Sequence, residues 1–300
     1  MHVAIAGGTG LVGSLLTDHL IHAGADISIL TRNALNKQNS ERITYVEWLN
    51  DRTPEHELGH VDAFVNLAGA SINERWTEDH KQKILDSRIE ATREIVRLCG
   101  ALPEKPGVLI NASAVGYYGT STTDVFTEDS RPVERNFLQH VCERWEEEAA
   151  EAEKIYGVRT VFARLGLVLH DQEGALPNIV LPYKLFAGGP VGSGEQWYSW
   201  VHWEDVVEMI HFAIDQPDLS GPMNVVAPHP KRMKQFGRTL ASVLGRPHWI
   251  PAPSIALKTA LGEMSVLVLE GQKVLPARAE AHGYSFVFPE LRPALEDLLQ

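Results

Sequence analysis

Short apolar runs and helical periodicities alternate along the first two thirds of the chain. His2–Ala6, Asp26–Leu30, Ile43–Glu47, Ala63–Leu67, Val108–Ala112 and Val158–Arg164 read as strands, most of them continuous enough in apolar character to be buried on both faces. Between them, Leu11–Ala23, Thr77–Cys99 and Asn136–Tyr156 carry apolar residues at helical spacing. The second of these has Thr77 as N-cap, Glu78 and Asp79 in the first turn, where negative charge suits the helix dipole, and Gly100 just past the expected end. Such alternation predicts an α/β fold, a Rossmann-like doubly wound parallel sheet. After Leu169 the texture changes to glycine and proline punctuation (Gly174, Pro177, Pro182, Gly188, Gly189, Pro190) and then to an aromatic run, Trp197–Trp203. A helix is expected from Glu204 to Ile214, a strand at Met223–Ala227 and a helix at Met233–Leu244, with Pro247, Pro251 and Pro253 in the links beyond. The expected organisation is a core domain of residues 1–170, its sheet completed by 200–228, and a small C-terminal substrate or cap lobe made of 171–200 and 229–300.

Composition narrows the function classes. With 44% hydrophobic and 22% charged residues the 300-residue chain is ordinary globular material, and no apolar stretch approaches membrane-spanning length. The balance of 27 basic and 39 acidic residues gives a net charge of −12 without a basic run, which argues against nucleic acid as a partner. Two cysteines, Cys99 and Cys142, supply neither a disulfide framework nor a cysteine zinc site. Residues 1–7 enter a strand pattern at once, so a cytoplasmic location is expected.

The first strand runs directly into Gly7-Gly8-Thr9-Gly10-Leu11-Val12-Gly13 and then a helix. That context turns the spacing Gly7, Gly10, Gly13 into a dinucleotide signature. The first glycine permits the turn, the second admits a diphosphate, and the third lets helix and strand pack closely, while the helix N-terminus offers free N–H groups and a positive dipole end. Sites of this kind usually carry an acidic residue at the tip of the second strand for the ribose 2′-hydroxyl. Thr31-Arg32-Asn33 stands there instead, and a guanidinium suits a 2′-phosphate, so NADP(H) is the expected cofactor. A solvated surface arginine is the plainer reading of Arg32.

Taken in order, the glycine loop, Asn66-Leu67-Ala68-Gly69, Asn111-Ala112-Ser113 with Tyr117-Tyr118-Gly119, Arg164-Leu165-Gly166, and Ser199–Val206 resemble the short-chain dehydrogenase/reductase superfamily in its extended, sugar-epimerase-like branch. The tail, with Glu270–Val274 and Gly283–Phe286, is similar to the extra C-terminal segment of an atypical subgroup described as epimerase-like or cell-division-inhibitor-like. The resemblance implies that Leu67, Ala68, Gly69, Ser113 and Leu165 border the cofactor, and that Tyr118, Trp200 and His202 face a small-molecule substrate. It also implies a homodimer through the two long helices. In the superfamily a Ser, a Tyr and a Lys do the chemistry. Ser113 matches the serine, but Leu138 falls where the Tyr belongs and Cys142 where the Lys belongs, the latter a feature of the atypical subgroup, as is an arginine matched by Arg88. Leucine has no titratable proton, and an unperturbed thiol carries no positive charge. Tyr117 and Tyr118 are the nearest phenols that can replace the lost donor.

Arg88 and Cys142 also have readings independent of any family. Arg88 falls on the inward stripe Leu85, Thr92, Ile95, Val96, Cys99 of its helix, so an anion or good acceptors should meet it: a structural salt bridge or a ligand. Cys142 lies on the seam Leu138, Val141, Trp145, Ala149, where a cysteine is often only a small buried hydrophobe. His56-Glu57-Leu58-Gly59-His60 satisfies the zinc-protease pattern, but Pro54, Gly59 and the strand that follows argue against the helix it needs, and no metal site is expected. Two functions stand: an NADP(H)-dependent oxidoreductase or epimerase-like enzyme acting on a small polar substrate, with Ser113, Tyr117, Arg88 and Cys142 as its catalytic set, and a cofactor-binding regulatory or sensing protein that has lost the chemistry.

Overall fold

A computed structural model of the chain describes residues 1–35, 37–50 and 53–300. In chain order the elements are β1 His2–Ala6, α1 Leu11–His22, β2 Asp26–Thr31, β3 Ile43–Glu47, α2 Glu55–Leu58, β4 Ala63–Asn66, α3 Glu78–Ala101, β5 Val108–Ala114, β6 Val125–Phe126, α4 Phe137–Tyr156, β7 Arg159–Leu165, β8 Leu167–Leu169, α5 Leu176–Lys184, β9 Trp197–Tyr198, β10 Trp200–His202, α6 Trp203–Asp215, β11 Gly221–Val225, β12 Lys231–Arg232, α7 Met233–Leu244, α8 Ser254–Leu261, α9 Val266–Leu269, β13 Lys273–Val274, α10 Ala277–Ala281 and α11 Leu291–Leu299. A short 3₁₀ turn, Val115–Tyr118, follows β5.

Seven strands form one parallel sheet in the order β11-β7-β5-β4-β1-β2-β3, the doubly wound arrangement expected. Residues alternate between the faces with period two. In β1, Val3 and Ile5 join the core under α1 and α6, while Ala4 and Ala6 join the core under α3 and α4. Burial on both faces is why this strand carries an unbroken apolar run. A third core, containing Trp200, Phe236, Leu240, Leu295 and Tyr183, holds the C-terminal lobe together.

Expected and observed strand boundaries differ by no more than two residues, and one helix end departs instructively. Gly100 lies inside α3 rather than past its end, because a Cβ there would sit 2.3 Å from Cζ of Tyr156: the glycine makes room for the ring. Thr77 caps α3 by accepting from the N–H of His80 at 3.2 Å. Among the described residues no helix is long and apolar enough to cross a membrane.

Candidate dinucleotide site and active site

Parallel register places the carboxyl ends of neighbouring strands side by side. Ala6 lies opposite both Leu30 and Asn66, Asn66 opposite Asn111, and Ser113 opposite Arg164. The glycine loop, Arg32, Leu67–Gly69, Ser113 and Leu165 therefore share one edge of the sheet, the crevice where such folds take their ligands.

The three glycines divide by role. Gly7 has φ +79°, and a Cβ on it would lie 2.7 Å from the Leu67 carbonyl carbon; Gly13 would bring a Cβ to 2.2 Å from the Gly7 carbonyl oxygen. Both are demanded by the protein's own packing. Gly10 is different: its φ of −85° is ordinary, and only the Gly7 carbonyl oxygen, at 3.5 Å, would meet a Cβ. Folding does not require a glycine there, so the space is free for something that is not protein. Gly10 is also the N-cap of α1 and offers no side-chain oxygen to the first-turn N–H groups. An open cradle facing a helix N-terminus fits a diphosphate. Thr9 is exposed and Leu11 and Val12 half-buried around it, and Gly174 of the loop before α5 approaches Leu11, so the second lobe borders the same opening. Arg32 is exposed at the end of β2 and forms no ion pair among the described residues. Ala68 donates its N–H to the Asn66 side chain at 3.2 Å, and behind it Asn66 bonds Asn111 at 2.7 Å and Thr92 at 3.0 Å, which fixes the Leu67–Gly69 strip.

Next to this strip Ser113 donates its hydroxyl proton to Glu146 at 2.6 Å. Glu146 in turn receives two parallel hydrogen bonds from Arg164, at 2.8 and 2.7 Å, and all three residues are buried. Burial works against the charge of Arg164, but Glu146 outweighs it and holds the guanidinium's pKa above its ordinary value. Arg164 also donates to the Tyr118 hydroxyl at 2.9 Å and lies 3.5 Å from the centroid of the Tyr117 ring. Arg164 enters the sequence reading only within the Arg164-Leu165-Gly166 motif, and Glu146 is not among the expected site residues. Arg164 offered a signal, a charge near the end of a largely apolar strand, whereas Glu146 is one of many charged residues along the Asn136–Tyr156 helix and stood out by nothing local.

The residues expected to face a substrate differ in their burial. Tyr118 has no accessible surface: its hydroxyl donates to Asn224 at 2.7 Å and accepts from Arg164, its ring stacks on Phe126, and burial pushes its pKa up to about 12. Trp200 is equally closed off and donates its indole N–H to the His229 carbonyl at 3.2 Å. His202 is buried as the N-cap of α6, accepting from the N–H of Glu204 at 3.2 Å. All three are closed off from solvent in this structure. Tyr117 remains half-buried, with no hydrogen bond to its hydroxyl among the described residues.

The inward placement of Arg88 is found, but the ion pair is not. One guanidinium nitrogen donates to the carbonyls of Ala70 and Ile84 at 3.1 and 3.0 Å, the group lies 4.9 Å from the Trp145 ring centroid, and no carboxylate of the described residues pairs with it. Burial pulls its pKa below the ordinary arginine value. A Cβ on Gly69 would lie 3.0 Å from the guanidinium carbon, so Arg88 sits directly behind the strip. Cys142 lies near both Arg88 and Ser113, and burial, followed by the Glu146 charge, pushes its thiol up to about 11. At pH 7 it is therefore a neutral thiol and supplies no charge. Cys99, on the buried face of α3, is pushed up to about 12 by that burial. Titration with a thiol reagent should therefore find both cysteines silent in the native protein and two equivalents after unfolding; a fast native equivalent would contradict this placement.

The zinc-protease pattern dissolves in the structure. α2 spans only Glu55–Leu58, Gly59 at φ +63° ends it, and His60 leaves the helix to pair with Asp62 and Glu104, each at 3.0 Å.

A doubly wound sheet with this glycine cradle at its carboxyl edge defines a dinucleotide-binding Rossmann protein. The chain belongs to the NAD dependent epimerase/dehydratase family, whose model matches residues 3–227, and residues 252–298 match a domain of unknown function, DUF1731. Epimerase family protein YfhF of Bacillus subtilis is 50% identical over 300 residues, covering 100% of this chain and 98% of its own. Epimerase family protein SERP0438 of Staphylococcus epidermidis is 42% identical over 296 residues, covering 99% and 98%. Among solved structures, human epimerase family protein SDR39U1 (isoform 2), crystallised with NADPH, superposes with a TM-score of 0.87 at 32% identity over 99% of both chains. The nucleoside-diphosphate sugar epimerase from Corynebacterium glutamicum gives 0.79 at 30% identity, over 100% of this chain and 58% of that one.

Proposed function

We propose that the protein is an NADP(H)-dependent oxidoreductase or epimerase-like enzyme acting on a small polar substrate. The observation that carries the reading is the cradle at Gly10, left open by the protein's own packing, with the uncommitted Arg32 at the neighbouring strand tip. The human relative crystallised with NADPH supports the choice of cofactor.

The cofactor, when bound, supplies hydride. The chain's residues do the rest. First-turn N–H groups of α1 and its dipole hold the diphosphate, and Arg32 meets the 2′-phosphate. Ser113 has committed its one proton to Glu146, so toward a substrate it offers lone pairs and orients a hydroxyl rather than polarising a carbonyl. Tyr117, the phenol left uncommitted, is the proton donor and acceptor at the substrate oxygen. Arg88, charged beside Gly69, supplies the positive field that a lysine gives elsewhere, with neutral Cys142 as packing between it and Ser113.

One observation favours the alternative of a cofactor-bound regulatory or sensing protein: the cation next to Ser113 reaches it only through an uncharged thiol. Deuteride transfer separates the two. With NADPH deuterated at C4 and a panel of keto forms of nucleoside-diphosphate sugars and small aldehydes, whose carbonyl carbon accepts the deuteride as its oxygen takes a proton, the enzyme moves label into a product and Tyr117→Phe stops it. Retention of all label across the panel, or an unaffected Tyr117→Phe, contradicts the enzyme reading. On the binding side, Arg32→Ala should cost roughly tenfold in NADPH affinity while leaving NADH unchanged.

A further inference from the structure

On the side of the sheet covered by α1 and α6, away from the glycine loop, two helices bring nitrogen and oxygen ligands together. His19 lies eight residues beyond Leu11 along α1, about 12 Å from the cofactor end of that helix. Across from it, α6 presents Glu208 and His211 one turn apart on one face, with Asp215 a turn further. One donor atom from each of His19, Glu208 and His211 can be chosen so that all three lie within 4.8 Å of one another. His19 Nε2 and His211 Nδ1 are 2.9 Å apart, and Glu208 Oε1 is 3.7 Å from His19 Nδ1.

The geometry points to a zinc-binding site that clips α1 to α6. Tetrahedral zinc holds two imidazole nitrogens at about 2.0–2.1 Å each, which sets them roughly 3.3 Å apart, so the observed pair needs to open by only a few tenths of an ångström. A hydrogen bond between two ring nitrogens requires one of them to be unprotonated, so a lone pair already faces its partner in the metal-free protein. The outer nitrogen of His211 lies 3.5 Å from Asp215 Oδ2, the carboxylate–histidine relation that orients a ligating ring with Nδ1 toward the metal. His19 and His211 are about one-fifth exposed and Glu208 two-fifths. The cluster is shielded enough to hold the rings in place, yet open enough for a metal to enter and for water to take a fourth position. Two imidazoles and one carboxylate form a borderline donor set suited to zinc, and it owes nothing to the His56–His60 motif.

The test uses the full chain without a histidine tag. Cobalt(II) as a spectroscopic stand-in should give the visible absorption of a tetrahedral complex, zinc chloride should displace it, and zinc should raise the melting temperature. His19→Gln and His211→Gln, each shown to be folded by circular dichroism, should lose the cobalt band. Glu208→Gln should weaken binding, and Asp215→Asn should do so by about tenfold. No cobalt band and no zinc-dependent melting shift in the unmodified protein would overturn the site, as would an undiminished band in folded His19→Gln and His211→Gln.

Discussion

Arg164→Met is expected to lower the unfolding free energy by about 3–5 kcal/mol, because it strands the Glu146 carboxylate in a site from which water is excluded. The loss exceeds that of a single hydrogen bond, since Arg164 serves Glu146 through two nitrogens and Tyr118 through a third. The burial that makes the pair costly to break also makes it replaceable. Adding Glu146→Leu to Arg164→Met should recover much of the deficit, as buried ion pairs often do when both charges are exchanged for packing. Denaturant unfolding of the two single variants and the double variant gives the coupling; simple additivity of the single losses would contradict the network. Because Ser113 donates into this pair, the network also fixes how the serine faces the cleft.

The second large effect separates two glycines that a sequence motif treats alike. Gly13→Ala drives a Cβ into backbone on two sides, 2.2 Å from the Gly7 carbonyl oxygen and 2.7 Å from the Gly8 Cα, and should cost about 1–3 kcal/mol of stability together with NADPH binding. Gly10→Ala meets only one atom at ordinary contact distance and changes an N-cap, for about 0.5–1 kcal/mol. It should nevertheless lose NADPH binding as completely as Gly13→Ala, because its methyl occupies the opening itself. Paired chemical unfolding and NADPH fluorescence titrations test this. A Gly10→Ala protein with undiminished affinity would mean that the cradle serves only the turn.

The sheet was legible because each strand, buried on both faces, had to be written as an apolar run, and because glycines between strand and helix carry a physical requirement. Arg88 was placed on the inward stripe correctly, since helical spacing alone puts it there. What spacing does not encode is the partner: two backbone carbonyls and an indole face meet the guanidinium where a carboxylate was equally compatible with the pattern. The aromatic run Trp197–Trp203 shows the same limit. Apolar bulk predicts burial, and whether it is buried against a ligand or against the molecule depends on β8, β12 and α11, which arrive from distant parts of the chain. Likewise, His19 and His211 are 192 residues apart, so no local ligand spacing could have joined them.

Under the proposed function the amino end of α1 holds the diphosphate of NADPH, with Arg32 on the 2′-phosphate. A crystal structure of the protein grown with NADPH tests it most directly. The diphosphate oxygens should lie within hydrogen-bonding distance of the Leu11 and Val12 N–H groups, with the Arg32 guanidinium against the 2′-phosphate. A cradle left empty at saturating NADPH, or a cofactor bound elsewhere on the molecule, would contradict it.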